Sequence, residues 1–341
     1  MNKLLLNSIK DIQKKTPLWF LRQSGRHIPE YFEIRAKAKN FIEFCLNKNL
    51  IIESTKLPLK YYDLDAAIIF SDILMIPWAM NRGVKFVKGE GPILDPMVPD
   101  VTKIEKKVDI FQSLIPINDA MHILKKDLPS HISLIGFAGA PWTLSCYMIE
   151  GKGSKDFVKT RTALWDANKW FKELIDTLTF YVAEKLELQA QAGADVLMIF
   201  DSWSHMIPYP YFQEFGIKPV ARIIELLRSK NIQQPIIGFP FKAGNSLVQY
   251  SYESNVDCIA LDWTVDLDWA LKNLNSSIAF QGNLDPSSLI SENNPYLEES
   301  VKSIIQKMKN RKFIFNVGHG LTPECKIKNV KNVINMVRNY S

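Results

Sequence analysis

Along the chain, short uninterrupted apolar runs alternate with longer stretches in which apolar positions recur every three or four residues. Eight runs stand out: PLWFLR (17–22), DAAIIFSD (65–72), ISLIGFAG (132–139), DVLMIFDS (195–202), PIIGFP (235–240), CIALDW (258–263), SIAFQGNLD (277–285) and KFIFNVGHG (312–320). A run that does not alternate with polar residues is the pattern of a strand buried on both faces, as in a parallel sheet covered by helices. Between the runs the period lengthens to that of a helix. Leu174, Ile175, Leu178, Val182 and Leu186 share one face over 170–192, ahead of Gly193 as a C-cap. Val220, Ile223, Ile224 and Leu227 do the same before the fifth run, and Val330, Val333, Ile334 and Val337 near the C-terminus.

Eight strands alternating with helices, without a Pro-, Gly- or Ser-rich linker between halves, predict an α/β chain folded as a single (β/α)8 TIM barrel, one domain over 1–341. The long interruption at 78–131 reads as an insertion after the second strand. In it RGVKFVKGEGPIL predicts a hairpin turning at Gly89 to Gly91, with a helix-rich segment after it. There is no internal repeat and no low-complexity tract.

Composition narrows the class further. At 47% hydrophobic and 23% charged the chain can bury a large core, so disorder is not the default. The net charge of +6 is spread over mixed-sign stretches such as IEKKVDI (104–110), which read as solvated faces; no concentrated basic stripe points to nucleic acid. Four cysteines, Cys45, Cys146, Cys258 and Cys325, form no CxxC pair, so a disulfide framework or zinc ribbon is not indicated and a reducing cytoplasm fits. The apolar run in MNKLLLNSIKDIQKK is too short for a signal-peptide core, and no stretch approaches a membrane span.

In a barrel of this type the chemistry sits at the C-terminal ends of the strands. The first run leads into Arg22 and Arg26, the second ends at Asp72, the third leads to Tyr147, the fourth ends at Asp201 and Ser202, and the eighth at His319. The segment LRQSGRHIPEYFEIR (21–35) adds Arg35. Guanidinium forks suit carboxylates and phosphates, so this cluster predicts a small substrate with several acidic groups; the alternative is solvated arginines paired with Glu30 and Glu33. Asp72, at the end of a buried run, needs partners, either backbone amides or the N–H groups of a ligand. His319 lies between two glycines, where a ligand can approach the backbone; the alternative is a histidine satisfied by main-chain groups. Tyr147 reads equally as core and Ser202 equally as an N-cap. No P-loop, no GxGxxG after the first strand, no HExxH and no GxSxG is present, which argues against nucleotide, zinc-protease and serine-hydrolase chemistry.

Six segments in order, TPLWFLRQSGRHIPEY, AAIIFSDIL, GFAGAPWTLSCYMIEGKGS, FDSW, QGNLDP and FNVGHG, resemble the signature segments of the uroporphyrinogen decarboxylase family, from Thr16 to His319. The resemblance implies a TIM-barrel homodimer in the cytoplasm. It implies an enzyme that removes the carboxyl groups of the four acetate arms of uroporphyrinogen III to give coproporphyrinogen III, in heme biosynthesis, with no cofactor and no metal. By the same resemblance Arg22, Arg26, Asp72, Tyr147, Ser202 and His319 match substrate-binding or catalytic positions, and Phe32 and Arg35 extend the first motif. Asp72 would accept pyrrole N–H groups, and the proton donor lies among Arg22, His319 and Tyr147. Ser24 and His27 stand where the family more often has Ala and Tyr, and LTPECKIKNV differs from its usual ending. Two rivals remain. A corrinoid-linked methyltransferase of the same superfamily needs an HxC zinc site, but the chain reads GFPFKAG there. A noncatalytic tetrapyrrole carrier would use the same arginines and Asp72 without turnover.

Overall fold

The computed structural model describes residues 3–87, 89–104, 110–166 and 169–341. Nine strands appear among these residues: β1 (Ala66–Ile68), β2 (Lys85–Val87), β3 (Gly91–Ile93), β4 (Ser133–Gly139), β5 (Val196–Asp201), β6 (Ile236–Pro240), β7 (Cys258–Ala260), β8 (Ala279–Leu284) and β9 (Phe313–Val317). Seven form one curled parallel sheet in the order β1-β4-β5-β6-β7-β8-β9, each strand beside its successor in the chain. Strands β2 and β3 pair antiparallel in the segment after β1, with Phe86 opposite Pro92. Of the charged stretch 104–110, residues 105–109 lie outside the described residues.

Burial explains the apolar runs. Every residue of β4, β6, β8 and β9 is buried, one face of the sheet turned to the barrel interior and the other to helices. The helix Lys169–Gln191 covers β4 and β5 with Leu174, Ile175, Leu178, Val182 and Leu186, all buried. The helix Lys218–Ser229 packs beside it through Val220, Ile223, Ile224 and Leu227. Near the C-terminus Val330, Val333, Ile334 and Val337 are buried in the helix Ile327–Tyr340. Contact between sheet and helix is close enough to need glycine: a β-carbon on Gly136 would stand 2.6 Å from Gln189 Oε1. Gly193 ends the long helix with φ +110, as its place in the sequence predicts.

The expected first strand, PLWFLR at 17–22, is reduced to a single bridge between Leu18 and Phe315. Main-chain bonds reach both edges of the seven-stranded sheet here: Phe315 N donates to Pro17 O (2.9 Å), and Asp65 N to Leu18 O (2.9 Å). Side chains then take the donors that would have lengthened the ladder. Leu18 N donates to Asp65 Oδ2 (2.8 Å), Phe20 N to Gln23 Oε1 (3.2 Å) and Leu21 N to Asn316 Oδ1 (3.0 Å). The segment is therefore strand-like in sequence, yet three of its main-chain donors are taken by side chains, two of them distant in the chain. Its residues are still core, with Leu18, Trp19, Phe20 and Leu21 all buried.

Candidate active site

At the C-terminal ends of the parallel strands, the mouth of such a fold, the candidate side chains come from separate elements. Arg22 follows the N-terminal segment with φ +58, a left-handed conformation uncommon for a non-glycine residue, which turns the chain out of its bridge to β9. Its aliphatic stem lies on Gly320: a β-carbon there would stand 2.2 Å from Arg22 Cδ and 2.8 Å from Nε. Gly318, two residues earlier, is packed as closely, with the backbone N of Trp263 2.2 Å from the position of a β-carbon. The glycines around His319 therefore make room for a guanidinium and for the loop after β7.

Asp72 sits in the turn after β1, where its Oδ1 accepts the N–H of Leu74 (2.8 Å). Burial pushes its carboxyl above the ordinary range; the Leu74 N–H and the cations Lys185 and Arg22 pull the other way. Tyr147 lies on the helix Pro141–Glu150, its ring 6.0 Å from that of Trp203. Burial pushes its hydroxyl up to about 12, with Asp72 raising and Arg22 lowering it. His319 packs against Phe241 (4.6 Å between ring centres) and Trp263 (6.1 Å). Burial, then Arg22 and Lys242, bring its imidazole down to about 4 against the opposing pull of Asp262. Arg22 is thus within electrostatic reach of Asp72, Tyr147 and His319, and Asp72 within reach of Tyr147. Neutral His319 presents one N–H and one lone pair at pH 7.

The other candidates spread outward. Arg26 is exposed and acts on Tyr31 and Glu324. Phe32 is 54% exposed, on the helix Glu30–Ala36. Arg35 ends that helix, donates from Nη1 to Ala38 O (3.0 Å) and lies over the rings of Phe44 (5.6 Å) and Phe41 (5.8 Å). These contacts give it a structural partner set of its own. Ser202 is half-buried directly after β5. The residue before it, Asp201, is buried and accepts the Thr143 hydroxyl (2.5 Å); burial raises its carboxyl to about 7, so it braces the strand end from behind. Ser24 donates to Ser54 O (2.6 Å), and His27 is buried with both ring nitrogens unpartnered, so neither departure from the family pattern enters the mouth as a charged group.

Two groups escaped the sequence reading. One is an aromatic wall: Phe137 of β4 meets Phe200 of β5 (5.5 Å), which meets Phe239 of β6 (6.3 Å). Their shared face follows from the register, in which Phe200 pairs with Phe239, and the spacing of aromatics at strand ends was the available signal. The other is Lys242, just beyond β6, whose amine stands 4.9 Å from the Trp263 ring centre and 5.4 Å from that of Phe241. Its backbone takes φ +56, and its N–H donates to Asp262 Oδ2 (3.0 Å). A positive φ at lysine has no signature in sequence.

Among the described residues no group of three or more His, Cys, Asp and Glu is arranged to hold a metal ion. The four cysteines are buried, and burial raises the thiols of Cys45, Cys146 and Cys258 well above their ordinary range, the reverse of the thiolate that zinc activation requires. No helix among the described residues is long and apolar enough to cross a membrane.

Comparison with known proteins bears on the family. The family model "Uroporphyrinogen decarboxylase (URO-D)" matches residues 2–340. The uroporphyrinogen decarboxylase of Maricaulis maris is 39% identical over 326 residues, covering 95% of this chain and 94% of that protein. The uroporphyrinogen decarboxylase of Brucella canis is 39% identical over 322 residues, covering 94% of each. Among solved structures, a methyltransferase from Methanosarcina mazei superposes with a TM-score of 0.82 at 14% identity, covering 98% of this chain and 97% of that one. A putative vitamin-B12 independent methionine synthase from Listeria monocytogenes gives 0.57 at 13%, covering 97% and 98%. At such identities the two structures speak to the fold alone.

Proposed function

The chain belongs to the uroporphyrinogen decarboxylase family, and on that premise we propose that the mouth built around Asp72 is where uroporphyrinogen loses the carboxyl groups of its four acetate arms. The observation that carries this reading is the convergence of one carboxylate, one guanidinium, one phenol and one neutral imidazole over a wall of phenylalanines. A porphyrinogen has the complementary parts: an apolar macrocycle, central pyrrole N–H donors and a rim of carboxylates. Supporting architecture comes from the N-terminal segment, which bonds to both edges of the seven-stranded sheet and in this reading closes it as the eighth member of a single-domain (β/α)8 barrel.

Decarboxylation of an acetate arm needs an electron sink. Protonation of the ring carbon next to the one bearing that arm makes one inside the substrate: the C–CO2 bond breaks, its electron pair forms an exocyclic C=CH2 bond that neutralises the ring cation, and the methylene is protonated to a methyl while the added proton leaves the ring carbon, so that one proton replaces one carbon dioxide. Asp72, ionised, accepts the pyrrole N–H groups and stabilises the positive charge that develops on the ring. Arg22 holds a carboxylate beside it, with Arg26 further out on the rim. Tyr147 and Ser202 supply hydroxyls to the same mouth. His319, held neutral, offers an N–H to a carboxylate; its low basicity makes it a weak reservoir for the incoming proton. Lys242 extends the cationic rim from the opposite side, its amine resting on Trp263. Phe32 and Arg35 shape the approach from the helix Glu30–Ala36. On the family resemblance the chain acts as a homodimer in the cytoplasm, and its free, buried cysteines fit a reducing compartment.

An anaerobic assay with uroporphyrinogen III, no metal added, tests the reading by counting carboxyl groups on the oxidised products. Appearance of four-carboxyl porphyrin supports it. Substrate bound but returned with eight carboxyls would make the protein a carrier.

A further inference from the structure

Lys185 belongs to the inward face of the helix Lys169–Gln191, is 3% exposed, and its amine has no hydrogen-bond partner among the described residues. An ammonium in such a place is costly unless a charge elsewhere compensates it. The amine stands 5.7 Å from the centre of the Phe137 ring, and Phe137 belongs to the aromatic wall of the mouth. One turn further along the same helix, Gln189 Nε2 donates to Phe137 O (3.1 Å), so the two side chains bracket that residue from behind.

We propose that Lys185 is a positioning residue for the decarboxylation, a buried cation behind Phe137 that keeps the Asp72 carboxyl ionised. This rests on the reading of Asp72 given above. The groups that act on the amine are Asp72, in the turn after β1, and Cys45, on the helix Phe41–Leu46. Those acting with or on Asp72 are Lys185, Arg22, Tyr31, Cys45 and Tyr147. Burial lowers the lysine to about 8, against the pull of Asp72, so the amine is still mostly charged at pH 7. Lys185 and Arg22 both favour the ionised Asp72 carboxyl against its burial. The division of labour is physically sensible: Arg22 is exposed to solvent, whereas Lys185 is buried, so its field is little screened.

The sign of the effect is set by linkage between the charges. Removing the cation raises the Asp72 pKa, so the acid limb of kcat/KM, where Asp72 becomes protonated, moves to higher pH. Well above the pKa of Asp72 both proteins hold it ionised and their rates converge. The test is the kcat/KM profile of wild type and Lys185→Met from pH 5 to 9, with thermal melts alongside. Methionine replaces an unpartnered buried charge by an apolar chain of similar length, so folding is expected to survive. The expected result is an acid limb displaced upward by about 0.5–1 pH unit with the melt unchanged or raised. A folded Lys185→Met protein whose acid limb matches wild type overturns the inference. If methionine abolishes folding, Lys185→Gln is measured in the same way, and its limb decides between the same two results. Failure of wild type to decarboxylate would instead sink the reading of the site itself, so the two failures are distinct.

Discussion

Arg22 rests against the α-carbon of Gly320, so closely that a methyl group there would lie 2.2 Å from Arg22 Cδ. The two residues come from opposite ends of the chain, and their contact couples the first turn after the N-terminal segment to the loop after β9. Placement of the guanidinium over the mouth therefore depends on a hydrogen atom at position 320.

Gly320→Ala is expected to lower kcat/KM by about 100-fold, because a displacement on the order of 1 Å in a positioning group has that scale of effect. The stability loss should be modest, about 1–3 kcal/mol, as for other overpacked sites. Steady-state kinetics and thermal melting check the two parts separately. Wild-type kcat/KM in a folded Gly320→Ala protein would show that Arg22 is not held by this contact.

Lys242 stands over Trp263 and acts on His319. If it holds a substrate carboxylate, Lys242→Met should raise KM about tenfold, the size of one charge-assisted hydrogen bond, with kcat within about twofold of wild type. Lys242→Arg should restore most of the loss, and the difference should shrink at high salt. A KM unchanged by Lys242→Met would remove the residue from the binding rim.

His27 provides a test of stability against pH. Burial lowers its imidazole to about 4 from an ordinary value of 6.5, and neither ring nitrogen has a hydrogen-bond partner among the described residues. The unfolded chain binds a proton here more readily than the folded one, so this group's contribution to stability is present above pH 6.5 and is lost as pH falls toward 4. The loss over that window is up to about 3 kcal/mol. His27→Phe should flatten the stability profile between pH 6.5 and 4 in urea unfolding; an unaltered slope would mean that other groups carry the acid sensitivity.

Much of the fold is legible because buried parallel strands write themselves as apolar runs. The runs at 132–139, 195–202, 235–240 and 312–320 each contain a strand of five to seven residues. The run at 17–22 looks the same, yet the acceptors Asp65, Gln23 and Asn316 lie 47, 3 and 295 residues away from the donors they satisfy. No local pattern could reveal that competition. For the site, the strand-end reading points to Arg22, Asp72, Tyr147 and His319, since a parallel sheet carries the C-terminal ends of its strands to one side. Arg35 read like its neighbours, but its guanidinium is turned onto Phe41 and Phe44 by aromatics that follow it in the chain. Lys185 carried a signal that a strand-end search passes over: with Leu178, Val182 and Gln189 it falls on the apolar face of its helix, where a lysine is out of place.

The central claim is that Asp72 acts as an ionised acceptor at the reacting ring, and Asp72→Asn tests it most directly. Asparagine keeps the shape and can accept the Leu74 N–H, but it removes the charge. In a single-turnover anaerobic reaction with uroporphyrinogen III at pH 7, wild type is expected to release carbon dioxide and yield porphyrins with fewer than eight carboxyls. The folded Asp72→Asn protein should be slower by at least about 100-fold, the scale for losing one electrostatic stabiliser of a developing charge. A folded Asp72→Asn protein that decarboxylates at the wild-type rate would contradict the account.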